Sequence, residues 1–566
     1  MWPSPRWIRI GLGLAVMLWL LPWVIAGSAQ QPPALFVDAT AESGVDFTHV
    51  NGATGELLLP EVIGGGGALF DYDNDGDLDL FVVQGRALRA SGAPGPAALR
   101  SRLYRNDLSG GRARFADVTA RSGIVATGYG MGATTGDFDN DGWIDLYVTN
   151  LGSNHLFRNN HDGTFSDVTT RSGTDDPRWS TSAAFLDYDR DGWLDLYVAN
   201  YVDFSVDMPR ACFSAGSARD YCNPSVYPPV TGTLFHNNRD GTFANVSARA
   251  GLFRAPARGL GVIASDFNGD GWPDLYVAND GDPNQLWLNE RGTGAFREDA
   301  LLAGVAVSRD GRPQGSMGVD LGDADGDGDE DLFVTNLDNE GNAFYRNLGK
   351  GLFEERTIEA GLFALGLTGF GTRFVDYDND GWLDLVVVNG AVRQVASQVQ
   401  AGDSYPLKQR SQLFHNERGR RFANVTDQAG PAFAPLHVSR GLAAGDLDND
   451  GDVDLVAFNN NGPARILLNN TSGRHWVGVR VVDAAGRDVL DTQVVLRRPT
   501  TTLVRRTHVD GSYCVAGDPR MVFGLDMETT PQSVRVRWPG GRVEDFHGLS
   551  VDRYWVLEAG RPPRPM

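Results

Sequence analysis

The chain has 566 residues, 42% of them hydrophobic and 10% aromatic, with 70 glycines and a formal net charge of −22. That length exceeds one ordinary core, that hydrophobic content argues against disorder, and the glycine and aromatic content suits a turn-rich all-β protein better than a helical one. Such acidity argues against nucleic-acid binding, which needs basic stripes.

Arg6 and Arg9 precede the apolar run Gly11 to Ala26, and the small residues Gly27, Ser28 and Ala29 follow. This is the pattern of a secretory signal over residues 1–29, cleaved near Ala29. The expectation is a secreted protein, whether periplasmic, extracellular or cell-surface. The run is shorter than the roughly 20 residues a spanning helix needs; an uncleaved anchor is the alternative. No cysteine follows the run, which argues against a lipoprotein, and no later segment is apolar enough to span. Cys212 and Cys222 sit in a loop rich in proline, glycine and serine and would close a ten-residue staple, as suits an oxidising compartment. Cys514 is left over and expected to be buried.

The body of the chain is repetitive. A loop of the form Asp376-Tyr-Asp378-Asn-Asp380-Gly381-Trp-Leu-Asp384 recurs seven times, starting at Asp71, Asp137, Asp187, Asp266, Asp323, Asp376 and Asp446. Carboxylates at positions 1, 3, 5 and 9 with glycine at position 6 make an oxygen set for a hard cation, the backbone carbonyl of position 7 adding another. The glycine permits the turn. Each loop runs into a strand such as Leu146-Tyr-Val148, where an EF-hand would feed a helix. A small-residue stretch precedes each loop, as in Gly130-Met-Gly132 and Gly259-Leu-Gly261. Two further strands follow, one like Leu156-Phe-Arg-Asn159 and one like Phe165-Ser-Asp-Val-Thr169, joined by hairpin signals such as Asp162-Gly163.

Four strands in each of seven repeats predict a seven-bladed β-propeller. The last repeat reaches Ile466-Leu-Leu-Asn469 without its final strand, while Phe36-Val-Asp-Ala-Thr40 stands alone before the first loop. The N-terminal strand is therefore expected to complete the last blade, leaving no exposed edge.

These repeats resemble the FG-GAP or VCBS repeats of integrin α-chain propellers and secreted bacterial proteins, over about Phe36 to Asn470, within a propeller domain at 33–471. The resemblance implies up to seven Ca2+ ions on one rim, with ligands usually meeting the opposite face. Carried over, the implied calcium ligands are Asp71, Asp73, Asp75 and Asp79 in the first repeat, and Asp137, Asp139, Asp141 and Asp145 in the second. Asp187, Asp189, Asp191 and Asp195 serve the third, and Asp266, Asn268, Asp270 and Asp274 the fourth. Asp323, Asp325, Asp327 and Asp331 follow, then Asp376, Asp378, Asp380 and Asp384, and last Asp446, Asp448, Asp450 and Asp454. Asn268 and Pro273 depart from the pattern, so the fourth site is expected to be the weakest. The 27 aspartates at these positions also account for the net charge.

After Asn470 the loops stop. Runs such as Trp476-Val-Gly-Val-Arg-Val-Val482, Gln493-Val-Val-Leu-Arg497 and Val534-Arg-Val-Arg-Trp538 predict a small β-sandwich over 472–560. His475-Trp476-Val-Gly-Val, Asp510-Gly511-Ser512-Tyr513, Asp518-Pro519-Arg520, Phe523-Gly524-Leu525 and Trp538-Pro539-Gly-Gly-Arg542 resemble the ASPIC/UnbV domain that ends cartilage acidic proteins and their bacterial relatives.

No catalytic residue is expected. The regularly spaced carboxylates are committed to the loops, and no His-Glu-x-x-His, Gly-x-Ser-x-Gly or Walker sequence is present. His155 lies beside a Leu-Phe-x-Asn strand, and His236 and His415 share the strand register of Arg105, Arg158 and Arg346, which reads as exposed decoration. Gly64-Gly-Gly-Gly67 enters a strand and reads as close packing at the axis. Tyr129, Trp179, Arg258, Met317, Phe370 and Arg440 recur at equivalent places and could form an aromatic-basic ring at the channel mouth, or merely cap blade packing. The leading expectation is a monomeric, secreted, calcium-stabilised propeller that binds a protein or glycan as an adhesion module. The alternative is a propeller-type enzyme, such as a sugar lyase or dehydratase, or a biosynthetic maturation factor, with its site in the central funnel.

Overall fold

The computed structural model describes residues 1–2, 34–88, 99–214, 217–498, 501–530 and 532–566. The chain divides into two units, Met1–Pro33 and Ala34–Met566. The expected signal at 1–29 lies, beyond its first two residues, outside the described residues. Among the described residues no helix is long and apolar enough to cross a membrane.

The second unit is all-β. The second repeat shows how the sequence builds one sheet: Tyr129–Gly136, Asp145–Leu151, His155–Asn159 and Phe165–Asp167 pair antiparallel in chain order. The inner strand bulges between Gly130 and Gly132, the metal-type loop turns through Asn140 (φ 58°) and Gly142 (φ 89°), and a hairpin turns at Gly163 (φ 81°). Asparagine and glycine tolerate these left-handed angles at little steric cost. Leu146, Tyr147 and Val148 are all fully buried, because this strand is covered on both faces. Each such side chain contributes about 1.5–3 kcal/mol by burial.

Among the described residues seven sheets follow this pattern, one for each loop, the first with an added fifth strand. In the last, Phe36–Asp38 supplies the fourth strand, pairing Phe36 with Asn469 and Asp38 with Leu467. Sheets adjacent in sequence touch through their inner strands, and Gly67–Phe70 touches both Tyr129–Gly136 and Ser439–Gly445.

Residues after 472 form two further four-stranded sheets facing a core of Val477, Val479, Val494, Leu496, Val534, Val536 and Phe546. One is mixed, with His475–Val482 parallel to Tyr554–Glu558. The sequence reading missed what lies between them. Residues 511–518 leave these sheets and bond to the inner strand of every repeat. Cys514 O accepts from Gly67 N and Ala133 N (both 3.3 Å), and Cys514 N donates to Ser182 Oγ (2.9 Å). Gly511 N donates to Val262 O, Ser512 O accepts from Val319 N, Ser512 Oγ accepts from Thr372 N, and Asp518 N donates to Ala444 O. Val515 and Ala516 pair in parallel with Gly67 and Ala68.

This central segment explains the small residues of the inner strands. A Cβ on Gly66 would stand 2.0 Å from Cys514 O, and one on Gly132 2.5 Å from the same atom. Cys514 is fully buried there, its thiol pushed up to about 12 by burial. Cys212 and Cys222 are disulfide-bonded, with Cα atoms 5.1 Å apart.

Candidate metal centre

The loops share one wiring, except that in the fifth Asp323 accepts from Gly326 N in place of the position-5 N–H. In the first, Asp71 accepts from the backbone N–H groups of Asp75 and Gly76 (3.1 Å each). Asp79, at position 9, accepts from Tyr72 N (3.0 Å) and from Asn106 N (2.8 Å). The same four bonds recur in the seventh loop, around Asp446 and Asp454. The backbone thus clamps positions 1 and 9.

Carboxylate triples come together as the repeat pattern requires: the ligand atoms of Asp71, Asp73 and Asp79 lie within 4.8 Å of one another, as do those of Asp137, Asp139 and Asp145, and of Asp187, Asp189 and Asp195. At position 3, one oxygen of Asp73, Asp139, Asp189 and Asp448 is buried with no hydrogen-bond partner. Buried polar atoms are rarely left so. Burial, with crowding by neighbouring aspartates, pushes Asp71, Asp137 and Asp187 up to about 6 and Asp195 to about 9, and holds Asp79, Asp145, Asp331 and Asp454 well above the usual carboxylate range. Such clusters are costly as bare anions, and a divalent cation with oxygen preference matches both the charge and the orphaned oxygens. In the fourth loop Asn268 turns its oxygen to Asp270 N (2.8 Å).

Two readings of the sequence are corrected here. His236 and His415 are not exposed decoration; they lean into their loops. His236 Nδ1 is 3.1 Å from Asp195 Oδ1, and His415 Nδ1 is 3.0 Å from Asp384 Oδ1. The strand register that carries them points the side chain at the loop, so Arg346 likewise contacts Asp325 (2.5 Å) and Asp327 (3.0 Å). His155 instead bonds Asp167 (2.9 Å).

Tyr129, Trp179, Met317, Phe370 and Arg440 are brought together, but in a sealed core with Tyr513 and Leu59, Tyr201, Tyr221 and Leu407 from segments that cross over it. Arg440 lies 3.8 Å over the Phe370 ring and is spent on carbonyls: Nε to Val62 (2.6 Å), Nη1 to Gly390 (3.0 Å) and Nη2 to Ala391 (3.1 Å). Arg258 is held by Asp282 (2.8 Å). These six side chains are therefore buried or paired and form no exposed ring.

The sequence reading also missed the asparagine that ends each Leu-Phe-x-Asn strand. Beyond bonding position 9 of its own loop through its N–H, it reaches the preceding repeat with its side chain in every repeat but the fifth, where Asn347 stays within its own loop. Asn159 Nδ2 donates to Tyr72 O (2.8 Å), Asn237 to Phe138 O (2.8 Å) and Asn289 to Tyr188 O (2.7 Å). The signal was present, since all seven repeats end this strand in asparagine. The C-terminal residues that brace the loops carried no such signal: Tyr554 Oη donates to Asp446 Oδ2 (2.8 Å), Arg520 Nη2 to Asp446 O (2.9 Å) and Arg474 Nη1 to Asp378 O (2.8 Å).

Residues 71–148, 137–198, 225–277, 266–334 and 323–387 match the FG-GAP-like repeat family, and residues 483–563 match ASPIC and UnbV. Cartilage acidic protein 1 of Homo sapiens is 32% identical over 164 residues, 28% of this chain and 24% of its own length. The Mus musculus protein is 31% identical over 164 residues, 28% and 25% of the two chains. The match therefore spans about a quarter of the length of these relatives. Among solved structures, an Agrocybe aegerita lectin described as recognising non-reducing terminal N-acetylglucosamine aligns at TM-score 0.38 and 16% identity, over 68% of this chain and 81% of its own. A Bacillus licheniformis rhamnogalacturonan lyase aligns at TM-score 0.28 and 12% identity, over 75% and 91%.

Proposed function

The chain belongs to the FG-GAP-like repeat family, and from that premise we propose that it is a secreted, calcium-loaded, seven-bladed propeller, closed by its N-terminal strand, that works as an adhesion or binding module for a protein or glycan. The observation that carries the calcium reading is the buried, partnerless oxygen at position 3 of the first, second, third and seventh loops. The 28 loop positions named above would hold the ions, which supply positive charge between carboxylates that otherwise repel. Extracellular modules of this kind bind calcium at about 10⁻⁴–10⁻³ M, so the sites fill outside a cell.

The closed architecture is supported by the pairing of Phe36–Asp38 with the last repeat and by the contacts of successive inner strands. Binding rather than catalysis is favoured because the central funnel, where the enzyme alternative would place its site, is filled by Tyr513, Cys514 and their neighbours. The adhesion reading draws on the likeness to cartilage acidic protein 1.

The test is a thermal melt with calcium, magnesium or chelator, followed by binding of the calcium-loaded chain to arrays of matrix proteins and glycans. A rise with calcium alone and a calcium-dependent hit support the proposal. A melt indifferent to all three, with no metal found by analysis, defeats it.

A further inference from the structure

Resting on the reading of the loops as cation sites, one position separates the seven repeats: the residue before the strand-ending asparagine. It is Arg105, Arg158, His236, Leu288, Arg346, His415 and Leu468 in turn. Arginine there brings only N–H donors and cannot ligate a metal, and leucine brings nothing. Histidine brings a ring nitrogen with a lone pair.

The two histidines place that nitrogen inside their loops. His236 Nδ1 lies 3.1 Å from Asp195 Oδ1 and 3.5 Å from Asp189 Oδ2, between positions 9 and 3. His415 Nδ1 lies 3.0 Å from Asp384 Oδ1 and 3.9 Å from Asp378 Oδ2. Around a tetrahedral zinc, with bonds of about 2.0–2.2 Å to nitrogen and carboxylate oxygen, ligand atoms stand about 3.4 Å apart. The observed separations bracket that value. The ligand atoms of Asp189, Asp191 and His236 lie within 4.8 Å of one another, and so do those of Asp378, Asp384 and His415. A second observation points to a ligand in the third loop, where Asp189 Oδ1 is buried without a hydrogen-bond partner; in the sixth, the close polar contact of His415 Nδ1 is a carboxylate of the loop itself, Asp384. His161 is the contrast. It meets the second loop through Nε2 to Asp141 (2.6 Å) and by stacking on Trp143, and contacts neither position 3 nor position 9.

We propose that the third and sixth loops are mixed nitrogen–oxygen sites selective for a borderline divalent cation such as Zn2+, with His236 and His415 as ligands. Calcium and magnesium take oxygen, whereas imidazole suits zinc and its neighbours. Each histidine binds through a deprotonated Nδ1, with its proton on Nε2. The chain then carries two kinds of site on one scaffold, sorted by a single side chain.

The test uses the full chain, stripped of metal, saturated with calcium, equilibrated with Zn2+ and dialysed before metal analysis. The expected result is two zinc ions per chain, one in His236→Leu, one in His415→Leu and none in the double variant, with His161→Ala keeping two. Leucine is the residue that two repeats already carry at this position, so the fold accommodates it. Retention of two zinc ions by the double variant, or none in the unaltered chain, overturns the proposal. The calcium melt of the unaltered chain separates the two readings. If calcium still raises it while zinc binding fails, only the selectivity falls; if calcium has no effect either, the loop reading falls with it.

Discussion

Asn106 Nδ2 donates to Leu447 O at 2.9 Å, tying the first repeat to the last across 341 residues of sequence. The same reach, from one repeat back to the one before, is made by Asn159, Asn237, Asn289, Asn416 and Asn469. Asn347 Nδ2 instead bonds Glu330 O of its own loop (3.0 Å).

That difference sets up a comparison. Asn106→Ala leaves a buried carbonyl of another repeat unsatisfied and is expected to destabilise the chain by about 1–3 kcal/mol. Asn347→Ala is expected to do less, since it unlinks no neighbouring repeat. Urea denaturation of the calcium-loaded variants gives both values, and equal losses would show that the cross-repeat bond carries no special weight.

Calcium is expected to act by mass action. At a free concentration tenfold above the dissociation constant, each filled site adds about 1.4 kcal/mol. Chelation should therefore lower the melting temperature by many degrees, with magnesium unable to restore it. Asn268→Asp restores the carboxylate missing from the fourth loop and is expected to tighten that site, read by calcium titration calorimetry.

The central segment predicts a reactivity change. Cys514 is enclosed by glycines, so a thiol reagent should not modify the folded chain. Gly132→Ala places a methyl group where only 2.5 Å separates it from Cys514 O, at an expected cost of about 1–3 kcal/mol. If the segment is displaced as expected, Cys514 becomes labelled under native conditions.

Glu61 predicts a pH dependence. Burial pushes its carboxyl up to about 7, while its ordinary value is about 4.3. Its neutral form is favoured in the folded state, so stability is fully present below the unfolded value and lost as pH rises through 7. Glu61→Gln should match the unaltered chain near pH 4.5 and exceed it at pH 8, by roughly 3–4 kcal/mol from a shift of this size. Burial also lowers His49 to about 4, an opposite trend: the unfolded chain takes up that proton first, and stability falls on acidification from about 6.5 toward 4. Denaturation of both proteins across pH separates the two groups.

What could be read from sequence was what repeats or stays local. The loop spacing, the all-β class and the Cys212–Cys222 pairing each depend on residues close in the chain. What could not be read depends on partners hundreds of residues away. Tyr129, Trp179 and Arg440 could be read as a channel mouth or as blade packing, because nothing in their own repeats says that Leu59, Tyr221 and Leu407 will cover them. His236 and His415 looked exposed because a shared register with arginine fixes direction only once the loop they face is known. Asp510-Gly-Ser-Tyr513 was recognisable as a motif, yet its role appears only beside Gly66 and Gly132.

Residues 511–518 bond inner strands that begin with Gly67 and end with Ser439–Gly445. No repeat has its full set of native bonds until synthesis has passed Asp518. A chain broken upstream of that point would hold glycine-rich inner strands with no partner, exposing backbone that chaperones and proteases can engage. The last tenth of the chain thus completes the hydrogen bonding of everything made before it.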